Sequence, residues 1–270
     1  MSRTGLSTTG CSPNAPGPAT DPTTVVAMTA TSPNRATAFL AAFNAIEQEL
    51  RDQLRAKDSD GATRLFHEAG RRRLLTPRDS EDLHEFAQLR NAIVHGEYTD
   101  DLRPIAEPLP EAVSLIESIR DRLLDPPTTL GVLGNQEVRT VSPGEEIHEV
   151  LRIIADTDIS QLPVYEGRQY QGLLTTNAIA RWVAADLGDN SQLDARTVRE
   201  VLEFAESSDF AVFLPRGASA QEAIDALTLP DAQKRLPAVV ILTEHGKDSQ
   251  LPIRVVGTSD LMALVTAAGA

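Results

Sequence analysis

Two stretches in the carboxy-terminal half of the chain follow one pattern. VSPGEEIHEVLRII leads to QLPVYEG and then to QYQGLLTTNAIARWV; further on, LPRGASAQEAIDAL leads to RLPAVVI and then to IRVVGTSDLMALV. The first prolines of the copies, Pro143 and Pro215, lie 72 residues apart, and the Leu-Pro pairs at Pro163 and Pro237 lie 74 apart. A repeat at near-constant spacing constrains the fold strongly, because each copy must bury its apolar face on its neighbour. In each copy a strand-length apolar run, an amphipathic helical stretch, two more strand-length runs and a second helical stretch succeed one another. This order predicts two βαββα units.

Leu-Pro-apolar on the second strand, then Gly-apolar-apolar-Thr ahead of a helix (Gly172 to Thr175), resembles a CBS motif. The pair resembles a Bateman module, a tandem of two CBS motifs, over about residues 130–268, with copies at about 130–188 and 197–268. The resemblance implies a pseudo-symmetric sandwich whose two clefts bind adenine nucleotides such as AMP or ATP. In that family a Thr or Ser ending the third strand holds phosphate, and an Asp three residues later takes the ribose hydroxyls. A hydroxyl beside a helix N-terminus suits phosphate, and a carboxylate suits a diol. Thr175 stands at the hydroxyl position of the first copy, with Ala178 at the carboxylate position and Asn177 beside it. Asp260 stands at the carboxylate position of the second copy, with Gly257 at the hydroxyl position. Each half keeps one element and lacks the other, so one nucleotide site or a purely structural dimerisation module are both open. Asp260 in Thr-Ser-Asp is also a plain helix N-cap.

The amino-terminal half reads differently. Residues 1–35 are rich in Ser, Thr, Pro, Gly and Ala without periodicity, which predicts a disordered tail; Met28 offers an alternative start. Phe39, Phe43, Ile46, Leu50 and Leu54 then recur at helical spacing. Asp58-Ser59-Asp60 offers N-cap residues for a second helix carrying Leu65, Phe66 and Ala69. Thr76-Pro77, with Asp79 following, opens a third helix that runs to Gly96, and a fourth begins near Pro110. Four amphipathic helices over residues 36–125 predict an antiparallel bundle. Asp125-Pro126-Pro127 is the linker to residues 126–270, making the fold class a helical bundle followed by a tandem βαββα pair.

The third helix ends in L-R-N-A-I-V-H-G. At about 3.6 residues per turn Asn91 and His95 share a face, whereas Arg90 and His95 diverge by about 140°. Arg90 is left near the stripe of Leu83, Phe86 and Val94, where a guanidinium needs a partner such as Glu47 or Glu49, or an interface. Arg, a polar residue, three more, then His, on the third helix of a small bundle, resembles the signature of HEPN domains (higher-eukaryote and prokaryote nucleotide-binding). Many of these are metal-independent ribonucleases of toxin or anti-phage type whose site is shared across a homodimer. The resemblance implies that Arg90 stabilises the phosphate, His95 acts as general acid/base on the RNA 2′-hydroxyl, and Asn91 orients it. Tyr98 stands third after His95, one place beyond the Tyr of one subgroup, and inherits no role. The plainer reading pairs Arg90 inside the bundle and leaves His95 at the helix C-terminus, where its charge meets the dipole.

Charge bounds these readings. The net charge of −14 falls as 2 basic against 1 acidic residue over 1–35, 12 against 18 over 36–125 and 11 against 20 over 126–270. Such a chain does not attract nucleic acid at long range, so any RNA contact is a local patch; Arg71-Arg72-Arg73 is the one basic run, with a solvated helix end as the alternative. One cysteine, Cys11, excludes an internal disulfide framework and suits a reducing cytoplasm. No apolar run approaches the roughly 18 residues of a membrane span, and the first residues lack the apolar centre of a secretory signal. His67 and His84 sit on exposed-looking helix positions, His148 and His245 in the repeats, and none forms a metal-ligand spacing. The leading expectation is an adenine-nucleotide-regulated, metal-independent endoribonuclease working as a homodimer. An antitoxin partner is compatible with it. The alternative is a non-catalytic nucleotide-binding and dimerisation protein.

Overall fold

Apolar residues three and four apart give each amino-terminal helix one stripe, and the four stripes meet in a single core. The computed structural model describes residues 34–57, 59–95, 106–190 and 192–269. Helices α1 (Arg35–Leu54), α2 (Ala62–Arg71), α3 (Pro77–His95) and α4 (Pro110–Leu124) contribute Phe39, Phe43, Ile46, Phe66, Leu83, Ile116 and Ile119, all fully buried. Edge-on ring contacts join them: Phe39 to Phe86 at 5.4 Å and Phe43 to Phe66 at 5.7 Å between centroids. The stretch read as a disordered tail lies outside the described residues except for its last two, and Arg35 already belongs to α1.

Three local expectations change. The N-cap of α2 is Gly61; Asp60 instead accepts the Lys57 amide at 3.2 Å and pairs with Arg64 at 2.6 Å, while Asp58 lies outside the described residues. Thr76 does cap α3, its Oγ1 accepting the Asp79 amide at 3.0 Å, but the Asp79 carboxylate turns to Arg122 on α4 at 2.7 Å. His84 is half-buried, with Nδ1 2.5 Å from the Ser80 carbonyl and its ring edge-on to Phe66. His67 is exposed.

After the short α5 (Thr129–Leu133), the first repeat comprises α6 (Ile147–Asp156), β1 (Gln161–Glu166), β2 (Gln169–Thr175) and α7 (Thr176–Asn190), followed by α8 (Val198–Leu202). The second comprises β3 (Ala211–Pro215), α9 (Ala220–Thr228), β4 (Val239–Thr243), β5 (Arg254–Val256), a 3₁₀ turn at Thr258–Asp260 and α10 (Leu261–Ala268). The second copy is the full βαββα: β3 pairs parallel with β4, and β4 antiparallel with β5. The first copy lacks the expected opening strand. Its place is held by one parallel bridge, Val141 to Val164, ahead of the antiparallel β1–β2 hairpin. Polar residues around Val138 and Val141, with Pro143 two residues on, leave too little apolar side chain and too few amide donors for a ladder.

Each repeat has its own core, around Val150, Val164, Leu174 and Trp182 in the first, and Ile224, Val240, Leu242 and Leu264 in the second. Between the sheets Leu173 of β2 meets Val239 and Ile241 of β4, flanked by Tyr170 and Phe213 with ring centroids 5.0 Å apart. Burial pushes the Tyr165 hydroxyl up to about 12 and raises that of Tyr170 further. Neither hydroxyl finds a hydrogen-bond partner among the described residues. Tyr170→Phe therefore removes an unmet polar group while keeping the ring: urea unfolding should find it unchanged or up to about 1 kcal/mol more stable. A loss beyond 1 kcal/mol would mean the hydroxyl is bonded.

The linker is stitched down. The Pro127 carbonyl accepts the Ala220 amide at 2.7 Å, the Thr129 amide donates to Ala218 at 2.8 Å, and Thr129 Oγ1 donates to the Ser219 carbonyl at 2.8 Å. Arg73, just past α2, pairs with Asp225 on α9 at 2.8 Å. Residues 35–270 form one compact unit, in which the helical bundle rests on the second repeat.

Candidate functional site

Two of the conspicuous α3 residues, Arg90 and Asn91, come together, though not as helical periodicity alone predicts. Arg90 and Asn91 point about 100° apart at the backbone, yet Arg90 Nη1 donates to Asn91 Oδ1 at 3.3 Å. The length of the arginine stem closes the gap. Both line a cavity of about 210 Å³ with Phe43 and Glu47 of α1, Ala62 and Thr63 at the start of α2, and Ala87. The expected partners are engaged elsewhere: Glu47 pairs with Arg51 at 2.5 Å, and Glu49 accepts from Gln53 at 2.7 Å. Arg90 forms no ion pair among the described residues, and neither Glu47 nor Glu49 is its partner. His95 is the last residue of α3. Its side chain, with Gly96 and Tyr98, lies outside the described residues.

In the first repeat Thr175 is buried, and its Oγ1 accepts the Ala178 amide at 3.0 Å. The hydroxyl thus caps α7, and the fully buried Ala178 supplies no carboxylate. Thr175 lines none of the described cavities.

The second repeat's Asp260 opens on a cleft of about 220 Å³ between the two repeats. Arg139 and the Asp158–Gln161 run approach it from the first copy; Arg254, Gly257, Ser259 and Asp260 approach it from the second. Asp260 Oδ2 accepts the Gly257 amide at 2.9 Å, and Oδ1 faces Arg254 Nη2 at 3.3 Å. Arg254 is itself held: Nη1 donates to the Leu133 and Gly134 carbonyls at 2.9 and 3.1 Å, with its side chain only 13% exposed. Asp260 precedes α10 but its side chain makes no N-cap hydrogen bond to that helix, so the plain N-cap reading does not account for it. One oxygen bonds back to Gly257 and the other, bridged by Arg254, faces the cleft. Two guanidinium groups, two serine hydroxyls and three carboxylates, Glu137, Asp158 and Asp260, line the cleft. The cations and hydroxyls suit a phosphate and a carboxylate suits a diol, while Glu137 and Asp158 leave the lining with one more negative than positive charge. The volume is below the roughly 300 Å³ of ordinary ligand pockets, so a mononucleotide fits only partly enclosed, or with Arg254 drawn off Asp260.

Sequence reasoning missed Arg139, Ser160 and Arg254. Arg254 left a trace, a lone charge inside I-R-V-V-G where a strand faces a core. Ser160 left none, because the cleft arises from packing between copies. Among the described residues no group of three or more His, Cys, Asp or Glu gathers as a metal site, and no helix is long and apolar enough to cross a membrane.

Comparison with known proteins agrees with the first copy of the repeat. Residues 133–185 match the CBS domain family and form a CBS domain. No curated protein matches the chain. Similar solved structures include a signal-transduction protein with CBS domains from Burkholderia ambifaria MC40-6, at 19% identity and TM-score 0.36, covering 48% of this chain and 83% of that one. A CBS-domain protein from Agrobacterium tumefaciens is 17% identical with TM-score 0.35, covering 51% and 88%. CBSX2 in complex with AMP is 13% identical with TM-score 0.37, covering 53% and 96%. No HEPN family match accompanies residues 36–125.

Proposed function

We propose that this CBS-domain protein is a nucleotide-responsive regulator, in which the cleft around Asp260 takes an adenine nucleotide and the helical bundle is the effector. The observation that carries the first part is the cleft itself. It places Arg139 of the first repeat in one cleft with Asp260 of the second, the carboxylate that the repeat pattern marks for a ribose and that Arg254 contacts. One such site is proposed, because the first repeat has a capping hydroxyl at Thr175 and an alanine where the carboxylate belongs.

For the effector the proposal is HEPN-like, metal-independent cleavage of RNA. Arg90 stabilises the phosphate as charge builds, Asn91 orients, and His95 moves the 2′-hydroxyl proton. Arg90, with no ion pair among the described residues, lines a cavity with Asn91, and this supports the reading. A shared site across a homodimer would bring His95 and Arg90 of two chains together, since the two diverge on one helix. The stitched linker and the Arg73–Asp225 pair give the second repeat, which also supplies Asp260, a direct mechanical path to the bundle.

Calorimetric titration of the full chain with AMP and ATP tests the cleft. The chain should bind one nucleotide per protomer. Asp260→Ala should weaken binding about 10- to 100-fold, the worth of a charge-assisted hydrogen-bond pair. Thr175→Val, which removes a hydroxyl that caps α7 and does not line the cleft, should change affinity less than threefold. Equal affinity in Asp260→Ala and the parent, or no binding by the parent, would dismiss the cleft as the sensor.

A further inference from the structure

The bundle is acidic, yet one of its cavities is cationic. A concave surface of about 520 Å³ where α1 meets α2 is lined by Arg55, Lys57, Arg64, Arg71, Arg72 and His67. The two carboxylates among the described residues of that lining are Asp60 and Glu68. Five permanent cations against two anions reverse locally the sign of a chain whose net charge is −14.

A solvated helix end accounts for only part of this. Arg71 and Arg72 stand at the C-terminus of α2, where the helix dipole favours cations. Arg64 stands in the first turn of the same helix, where the dipole disfavours one. Arg55 is harder still to explain structurally. It follows α1 in the left-handed conformation, φ 51°, and the Ala56 amide donates to the Arg51 carbonyl at 3.0 Å to close the turn. That position in a helix-ending turn ordinarily belongs to glycine, and a side chain there is strained by about 1 kcal/mol. The loop carrying it is built rather than loose: Arg51 Nη1 donates to the Lys57 and Asp60 carbonyls at 2.7 and 3.2 Å. Glu68 is already engaged, with Arg72 at 2.8 Å and Arg71 at 3.4 Å, and the Arg72 hydrogen bond holds its carboxyl below the usual carboxylate range.

The cations are spread over a groove much wider than one phosphate, which suits a chain of phosphates. The groove also lies next to the Arg90 cavity, since α2 lends Thr63 to that cavity and Arg64 to this one. We infer that the α1–α2 groove is a docking track for the phosphate backbone of single-stranded RNA, feeding a strand towards Arg90 and Asn91. This rests on the effector reading for its ligand and adds the surface by which an acidic protein holds RNA.

The test uses Arg55→Gly, Arg64→Gln and Arg71→Gln combined in the full chain. Glycine relieves the left-handed position, and the other two side chains are 78% and 70% exposed, so thermal unfolding should show a folded variant. Binding to a fluorescein-labelled single-stranded oligouridylate is read by anisotropy over a salt series, in a His95→Ala background so that the probe stays whole. The triple variant should bind about 10- to 100-fold more weakly, and the slope of log K against log salt should flatten by about 2. Unchanged affinity and slope would overturn the groove, as would no binding by the His95→Ala parent. Cleavage is measured separately with His95 restored. A chain that binds the probe through the groove yet leaves it intact removes the ribonuclease reading and keeps the track. Cleavage unaffected by the triple variant removes the track and keeps the ribonuclease.

Discussion

His95→Ala should lower cleavage of RNA by the purified protein about 10²- to 10⁴-fold, with the fold unchanged. That range is what a positioned general acid/base contributes, and alanine leaves nothing at that place to carry a proton. The reaction should proceed in EDTA, because the proposed chemistry uses a guanidinium where other nucleases use a metal. Arg90→Ala should cost about 10²-fold or more, and Arg90→Lys should recover little of it, since a point ammonium does not reproduce a two-pronged grip on a phosphate. Deoxyribo-oligonucleotides should be left whole by every variant, for want of the 2′-hydroxyl nucleophile. The measurement is gel analysis of total RNA fragments over time, with circular dichroism as the check on folding. If the parent cuts and His95→Ala cuts equally, the activity belongs to other residues. If the parent leaves every RNA intact, the bundle is a binding module and Arg90 and Asn91 line a recognition pocket.

The repeat was legible because its register is written in prolines and small apolar runs, and those specify strands and turns locally. The full second copy emerged almost as read, from β3 to α10. The first copy's opening strand did not, because whether a two-valine segment pairs for one residue or five depends on the neighbour it meets. The four helices were equally legible from Phe39 to Leu123, while the α2 cap moved to Gly61 because Asp60 found a better use on Lys57 and Arg64. Site residues divided along the same line. Asp260 and Thr175 could be marked by position in a pattern, but only packing reveals that Thr175 is turned inward as a cap while Asp260 faces a cleft. Arg139 and Ser160 meet Asp260 from far along the chain, and no local pattern records such meetings. The cationic groove is local, within residues 54–72, and its trace in the sequence was the Arg71-Arg72-Arg73 run.

Asp79→Ala should destabilise the protein by about 2–3 kcal/mol, more than Arg122→Met. Asp79 is buried at the first turn of α3, and its carboxylate holds Arg122 of α4 at 2.7 Å. Removing one member of such a pair leaves the other charge stranded, which costs about 3–5 kcal/mol when both are fully buried; the Arg122 side chain is 23% exposed, so the lower figure applies. Arg122 has little else to fall back on. Its Nη1 donates to Ser118 at 2.6 Å, but its Nε is buried without a partner among the described residues. Asp79 is better placed to lose its partner, since a carboxylate at a helix N-terminus keeps the dipole. The double change Asp79→Ala with Arg122→Met should therefore cost less than the two single changes added, with a coupling of 1 kcal/mol or more. The effect should reach the second repeat. A Cβ on Gly269, at φ +74° past α10, would lie 2.8 Å from Arg122 Nε, so the end of α10 closes directly over this arginine. Urea unfolding of the four proteins in the cycle measures the coupling, and amide exchange at residues 261–269 reports whether Arg122 cut loose from Asp79 loosens α10. Additive single effects, or exchange at α10 unchanged in Asp79→Ala, would show the pair to be an ordinary surface contact with no part in joining the bundle to the repeat that carries Asp260.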